Sequence, residues 1–81
     1  MTTREDIAQW FDRGLQMEAR WMLVVCDMFD YEDYPVFVKT VKEFWREYAA
    51  HDGVNMQKVM EVYNLKMDKN VQLNKSRSFN F

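Results

Sequence analysis

The sequence predicts a small α+β domain of helix, β-hairpin, helix and helix, with a sheet that oligomerisation completes. Two amphipathic segments, beginning near Thr2 and Thr40, predict helices that flank the hairpin. Between them the apolar run "RWMLVVCDMF" is followed by a polar turn and by "YPVFVK", which predicts two strands. With 81 residues, 48% of them hydrophobic, the chain is long enough for one domain with one small core.

The first helix is predicted over residues 3–18. Its start, "TTRE", has the form of a capping box in which Thr2 accepts from an early amide and Glu5 reaches back. The apolar positions that follow have helical spacing: Ile7, Trp10, Phe11 and Leu15. Gly14 falls on the same stripe, so it either permits close packing or ends the helix early.

The hairpin follows from two short strands separated by about five residues, a spacing that favours an antiparallel pair. The first strand is apolar throughout, with Val24 and Val25 at its centre, and is predicted to be buried on both faces. Pro35 marks either the start of the second strand or an edge. Because an isolated two-stranded sheet is marginal in water, we expect the sheet to continue into another subunit or two hairpins to pack face to face. The sequence therefore predicts a homo-oligomer.

Three helices are predicted after the hairpin. Thr40 and Glu43 form a second capping box, and Gly53 ends that helix in the left-handed conformation. Asn55 is expected to cap a third helix, whose apolar stripe is Met56, Val59, Met60 and Tyr63. A short fourth helix begins at Asp68. We divide the chain into an α+β core domain, residues 1–65, and a basic C-terminal tail, residues 66–81, which carries the short helix.

The charge distribution supports this division and excludes one class of partner. Residues 1–65 carry 7 basic and 12 acidic side chains, whereas residues 66–81 carry 4 basic and one acidic. The tail lies either on the acidic body of its own or a neighbouring chain, or in solvent. The net charge of −2 argues against a nucleic-acid partner, whose affinity rests on phosphate neutralisation. No apolar run has the length of a membrane span, and the N-terminus lacks the form of a signal peptide, so we expect a soluble intracellular protein.

The hairpin turn carries four carboxylates among aromatic residues: Asp27, Asp30, Glu32 and Asp33. A calcium loop needs oxygen ligands at alternate positions and a glycine at the sharp turn, whereas these carboxylates are irregularly spaced and no glycine lies between residues 15 and 52. Two interpretations remain. The aspartates cap local amides in an ordinary turn, or they form a binding rim in which carboxylates accept from hydroxyl or amine groups while Tyr31 and Tyr34 stack on a ring.

The sequence does not favour an enzyme. Cys26 and His51 are the one cysteine and the one histidine, and Cys26 lies in the apolar strand, where thiols are commonly inert. His51 lies at a helix C-terminus, where an imidazolium interacts favourably with the helix dipole. We therefore expect no catalytic residue, no metal and no cofactor.

A weaker indication of anion binding lies in "VFVKTVKEF", where a strand leads into a helix N-terminus. Backbone amides there, with Lys39 and Lys42 beside Thr40, suit a phosphate or carboxylate. There is no glycine-rich approach of the P-loop type, so a simple capped helix with two solvated lysines remains the alternative.

Two segments, "MLVVCDMFDYEDYPVFV" at 22–38 and "NMQKVMEVYNL" at 55–65, resemble a family of small uncharacterised phage and prophage proteins. The shared patterns are VVCDxFDxEDYPV and NMQxVMEVY. The resemblance implies a phage accessory protein in the cytoplasm of the bacterial host cell. Such proteins often inhibit host systems, by binding a protein or by sequestering a signalling molecule.

Two functions follow as hypotheses. The first is a non-enzymatic anti-defence protein that sequesters a nucleotide-derived signalling ligand in a pocket of the oligomer. The candidate ligand-binding residues are Arg20, Asp30, Tyr31, Asp33, Tyr34, Lys39 and Thr40. The alternative is an acidic, anti-CRISPR-like inhibitor that binds a host enzyme or defence complex through the hairpin turn.

Overall fold

The computed structural model describes residues 2–75 and 77–81 and has the predicted α+β class. The elements in chain order are α1 (Arg4–Gln16), β1 (Trp21–Asp27), β2 (Glu32–Val38), α2 (Val41–His51), β3 (Gln57–Asn64) and α3 (Lys69–Leu73). The three strands form one antiparallel sheet in the order β2-β1-β3. None of the helices in the described part of the chain is both long and apolar enough to cross a membrane.

The central strand β1 is buried on both faces, as its continuous apolar sequence predicts. Successive side chains point to opposite faces, so Met22 and Val24 pack beneath α1, whereas Leu23 and Val25 pack beneath α2. We call these two surfaces of the sheet the α1 face and the α2 face. Each face has its own buried apolar cluster, and β1 contributes to both.

The helix α1 begins one residue later than its predicted cap. Thr3 is the N-cap, its side chain accepts from the Asp6 amide at 3.1 Å, and Asp6 accepts from the Thr3 amide at 2.9 Å. The capping box predicted for Thr2 and Glu5 is therefore shifted by one residue. Of the two roles offered for Gly14, the structure shows close packing, since the helix continues to Gln16.

The predicted hairpin is confirmed, with β1 and β2 paired antiparallel from Trp21↔Val38 to Asp27↔Glu32. Its turn is built from short local hydrogen bonds: Asp27 accepts from the Phe29 amide at 2.9 Å, and Asp30 accepts from the Glu32 amide at 3.1 Å. Pro35 lies within β2, which is an edge strand, so the edge position is the correct one of its two predicted roles.

The predicted third helix is wrong, because residues 57–64 form the strand β3. Asn55 and Met56 both have positive φ, 53° and 60°, which turns the chain into β3 and prevents Asn55 from acting as a helix cap. A register shift between Val24 and Val25 places a bulge at Met60 and interrupts the alternation of a regular strand. The interrupted pattern Val59, Val62, Tyr63 matches helical spacing, which explains the error.

The third strand changes the argument for oligomerisation. The oligomer was expected because a two-stranded sheet is marginal in water, whereas β1 has both of its neighbours within one chain. The outer edges belong to β2 and β3. Pro35 lacks an N–H and so removes one donor from β2, as is common on protected edges. The homo-oligomer therefore stays a proposal.

The other predicted helices have the expected caps. Thr40 caps α2 by accepting from the Glu43 amide at 3.1 Å, although Glu43 reaches back to the Lys39 amide at 2.9 Å rather than to that of Thr40. Gly53 has the predicted left-handed φ of 76° just after α2. Asp68 caps the short helix α3 through the Val71 amide at 3.0 Å. The division between residues 1–65 and 66–81 stays a prediction.

The last residues of the chain, 77–81, lie along the outer edge of β3. The Val62 amide donates to the Ser78 carbonyl at 2.9 Å, and the Asn80 amide donates to the Val62 carbonyl at 3.0 Å. Phe81 stacks on Trp21 on the α2 face, with ring centroids 5.1 Å apart and planes 9° from parallel. The end of the tail therefore lies on the body of its own chain, the first of the two placements that its charge suggested.

Candidate functional site

A cleft of about 270 Å³ lies on the α1 face, at the N-terminal end of α1. Its lining comes from α1, from all three strands and from the tail: Thr2, Thr3, Arg4, Ile7, Val24, Asp33, Met60, Glu61 and Arg77. A neighbouring hollow of about 170 Å³ shares Thr2 and Asp33 with the cleft and is also lined by Tyr31 and Glu32. The two together form the candidate site.

Strand register brings the charged residues of the cleft together. Asp33 pairs with Cys26 across the hairpin, beside Val24 on the α1 face. Val24 also pairs with Glu61, which lies next to the bulge at Met60. The strand β3 therefore places a carboxylate in the same region. A bulge redirects side chains locally, and both Met60 and Glu61 line the cleft as a result.

A hydrogen-bonded network around Glu61 forms one wall of the cleft. Glu61 is only 7% exposed, and its Oε1 accepts from Arg4 Nη1 at 2.8 Å, from the Tyr63 hydroxyl at 2.9 Å and from the Ser78 amide at 3.0 Å. Arg4 also donates from Nη2 to the Lys75 carbonyl. The network therefore joins the start of α1, the strand β3 and the tail through one buried carboxylate.

The network shifts the pKa of its members in directions that keep it intact. The hydrogen bond from Arg4 to Glu61 is the main cause that raises the pKa of Arg4, so the guanidinium stays charged. Burial, followed by the charge of Glu61, raises the pKa of Tyr63 well above its usual value. At neutral pH the Tyr63 hydroxyl is therefore a donor to Glu61.

Arg77 is the second guanidinium of the cleft and is solvent-exposed. Among residues 2–75 and 77–81, no carboxylate lies within ion-pair distance of it, whereas Arg4 is paired with Glu61. A guanidinium in this position presents a planar fork of donors that matches phosphate or carboxylate oxygens. Arg77 is therefore the cation of the cleft that is most available to an anionic ligand.

Three of the seven predicted ligand residues lie at or beside this site. Asp33 lines both the cleft and the hollow, and Tyr31 lines the hollow and is 79% exposed. Asp30 lies next to them in the turn, with Oδ1 already accepting from the Glu32 amide. The predicted binding rim and the predicted turn thus occupy the same residues.

Tyr34 lies on the opposite face of the sheet from the cleft. Its hydroxyl accepts from Gln57 Nε2 at 2.8 Å, and its ring meets the edge of His51 at a centroid distance of 6.3 Å on the α2 face. Burial raises the pKa of Tyr34. Within one chain, Tyr34 and Tyr31 therefore cannot both stack on a ligand in the cleft.

Arg20, Lys39 and Thr40 lie at the other end of the hairpin. The seven residues of β2 separate them from the turn by roughly 20 Å. Arg20 lies over the Trp21 ring, 4.6 Å from its centroid. Thr40 is occupied as the cap of α2. One chain does not bring these three residues to the cleft.

The cleft also contains residues that the sequence analysis missed, namely Thr2, Arg4, Glu61 and Arg77. Arg4 and Glu61 are 57 positions apart, and no local motif joins them. The only signals in the sequence are the excess of basic residues in the tail and the isolated acid of "VMEVY", which a helical interpretation places on a solvated surface.

Cys26 and His51 do not approach each other. Cys26 pairs with Asp33 across the hairpin, while His51 contacts Tyr34 on the α2 face. Burial, and next a hydrogen bond with Asp33, raise the pKa of the Cys26 thiol, which makes it a poor nucleophile at neutral pH. Within the described residues, no group of three or more His, Cys, Asp or Glu side chains is placed to hold a metal ion.

Comparisons with protein-family models, curated proteins and solved structures found no match. The resemblance to phage proteins therefore stays a prediction.

Proposed function

We propose that the protein binds a small, anionic, nucleotide-type ligand in the cleft on the α1 face and sequesters it without chemical change. The observation that carries this proposal is the Arg77 guanidinium, which lines a cleft of about 270 Å³ and has no carboxylate partner among the described residues. This volume is just below the roughly 300–1,000 Å³ typical of small-molecule sites, and the adjoining hollow extends it.

The cleft offers a different group to each part of such a ligand. Arg77 would bind a phosphate, with Arg4 adding positive charge although it is already paired with Glu61. Asp33 would accept hydrogen bonds from ribose hydroxyls or base amines. The exposed ring of Tyr31, which lines the hollow, provides a stacking surface for a base.

Sequestration is the activity that fits these residues best. The cleft combines recognition groups with a buried carboxylate, that of Glu61, whose Oε1 accepts three hydrogen bonds. The nearby Cys26 thiol, which pairs with Asp33 across the hairpin, has a raised pKa and so stays protonated at neutral pH. Together with the resemblance to small phage proteins, this favours an anti-defence role in which the protein lowers the free concentration of a host signalling nucleotide.

The proposal retains a homo-oligomer as the form in which Arg20, Lys39 and Thr40 would contact the same ligand. These residues are roughly 20 Å from the hairpin turn of their own chain, so a neighbouring subunit would have to supply them. Lys39→Ala distinguishes the two versions. It weakens ligand binding if the pocket is shared between subunits, and leaves binding unchanged if one chain forms the whole site.

Native mass spectrometry of the protein purified from bacterial cells tests the proposal. We expect extra mass of a few hundred daltons on the wild type and on Arg46→Ala, and loss of that mass from Arg77→Ala. Arg46 is a matched control because it is an exposed arginine on α2, whose helix packs on the other face. Equal ligand occupancy in Arg77→Ala and the wild type would show that the cleft is not the site.

A second candidate function rests on the exposed hairpin turn. Phe29 is 80% exposed and Tyr31 is 79% exposed, and acidic residues flank both of them in the sequence. Large exposed aromatics with an acidic border suit a basic protein surface, as expected for an inhibitor of a host enzyme. If the turn binds a host enzyme, the association rate of the protein with that enzyme should fall steeply as the salt concentration is raised. A rate that does not change with salt contradicts this function.

A further inference from the structure

We propose that residues 77–81 act as a strap that holds Arg77 in the cleft, so that docking of the strap and binding of the anion are thermodynamically linked. The inference rests on the proposed function and adds a regulatory element to the same site. It requires that the strap be held by contacts outside the cleft, and that it can detach without unfolding the domain.

The strap is held at its end by aromatic contacts on the α2 face. The Phe81 ring lies 5.1 Å from Trp21, 4.7 Å from Phe44 and 5.2 Å from Trp45, measured between centroids. Phe79 meets the edge of Tyr48 at 6.1 Å. These side chains lie across the sheet from the cleft, so they anchor the strap without touching a ligand.

In the described part of the chain, the strap makes backbone-to-backbone hydrogen bonds with β3 at a single residue, Val62. Two β3 side chains also bond to its backbone: Glu61 accepts from the Ser78 amide at 3.0 Å, and Asn64 Nδ2 donates to the Phe81 carbonyl at 3.3 Å. Val62 donates to Ser78 and accepts from Asn80, and this pair of bonds is an isolated parallel bridge rather than a full strand. Phe79 and Phe81 remain 57% and 49% exposed. An attachment of this extent is small enough to open locally while the three-stranded sheet stays folded.

Glu61 connects the strap to the cleft. The Ser78 amide, next to Arg77 in the chain, donates to Glu61 at 3.0 Å, and Arg4 donates both to Glu61 and to the Lys75 carbonyl. Docking of the strap therefore places Arg77 at the cleft and adds the Ser78 amide to the donors of Glu61, the carboxylate that also binds Arg4. An anion that binds Arg77 favours the docked strap, and by reciprocity the docked strap favours the anion.

Hydrogen exchange at the Val62 amide reports strap docking in the absence of any ligand. This N–H points away from β1 and donates to the strap, so it is protected only while the strap is docked. We expect exchange at Val62 to accelerate in Phe79→Ala/Phe81→Ala, and not in the control Val71→Ala, which shortens a side chain of similar exposure on α3. The Val59 amide, which donates to Asp52 rather than to the strap, checks that the start of β3 keeps its contact with the end of α2.

Calorimetric titration with inorganic pyrophosphate then tests the linkage. We expect Phe79→Ala/Phe81→Ala to lower the affinity to that of Arg77→Ala, and the triple variant to show no further loss, because the strap acts through Arg77. Added pyrophosphate should also slow exchange at Val62 in the wild type. If the wild type binds pyrophosphate and the Phe79→Ala/Phe81→Ala variant binds it with the same affinity, the strap is overturned and the anion site stands. Absence of binding to the wild type overturns the anion site and the strap together.

Discussion

Replacement of Glu61 by alanine should be among the most destabilising single changes in the protein. The substitution leaves two buried donors, the Tyr63 hydroxyl and the Ser78 amide, without their acceptor. Each such group costs about 1–3 kcal/mol. The Arg4 side chain is 39% exposed and can regain water, so its lost ion pair adds little. We therefore expect a loss of about 2–6 kcal/mol, from a total of about 4–12 kcal/mol for a domain of 81 residues.

Urea unfolding followed by tryptophan fluorescence measures this loss as a shift in the midpoint at constant slope. Glu61→Gln keeps an oxygen that can accept from the same donors and should cost only about 1 kcal/mol, the difference between charged and neutral hydrogen bonds. Asp12→Ala is the control, because it removes an exposed pair with Lys69 at 3.1 Å and should cost less than about 1 kcal/mol. If Glu61→Ala costs no more than Asp12→Ala, the network around Glu61 does not hold the fold together.

Three further predictions concern single positions. Gly14→Ala should destabilise the protein by about 1 kcal/mol or more, despite the better helix propensity of alanine. The added Cβ would lie 2.8 Å from Leu65 Cδ1 and 2.9 Å from Phe37 Cε1. Thermal unfolding measures the change in stability, and a stabilised variant would contradict the prediction. Gly53→Ala should cost about 1 kcal/mol through its φ of 76° alone, since nothing lies within 4 Å of an added Cβ, and an unchanged melting temperature would contradict this. Because the pKa of Tyr63 is raised in the folded state, the unfolded chain loses that proton first, and Tyr63 should lower the free energy of unfolding above pH 10 by up to about 1.4 kcal/mol per pH unit. Tyr63→Phe should lose this contribution and keep the part of the slope that comes from Tyr34, whose pKa burial also raises.

The elements with local signals were predictable from the sequence. α1, the hairpin, α2 and α3 each begin or end at a residue whose side chain or backbone conformation is specific to that position, such as Thr40 or Gly53. β3 was not predictable in this way. Its bulge at Met60 removes the alternation of a strand, and its buried acid, Glu61, has partners at Arg4 and Ser78 that are distant in sequence.

The candidate site also has one part that was predictable from the sequence and one part that was not. The acidic and aromatic part, Asp33 and Tyr31, lies in one turn and could be found by examining that turn. The basic part comes from the two ends of the chain, and Arg4 and Arg77 meet only because the tail returns along β3. Lys39 and Thr40 are nearer to the turn in sequence than Arg4 and Arg77 are, but the extended strand β2 places them at the opposite end of the hairpin.

The proposed function depends on the cleft being an anion site that contains Arg77. The most direct test is a titration of isotope-labelled protein, followed by amide chemical shifts, with pyrophosphate, nucleoside phosphates and cyclic dinucleotides as probes. We predict saturable shifts at Thr3, Asp33, Glu61 and Arg77 that are absent in Arg77→Ala and retained in Arg46→Ala. Shifts confined to Lys39 and Thr40, or no shift with any probe at millimolar concentration, would contradict the proposed site.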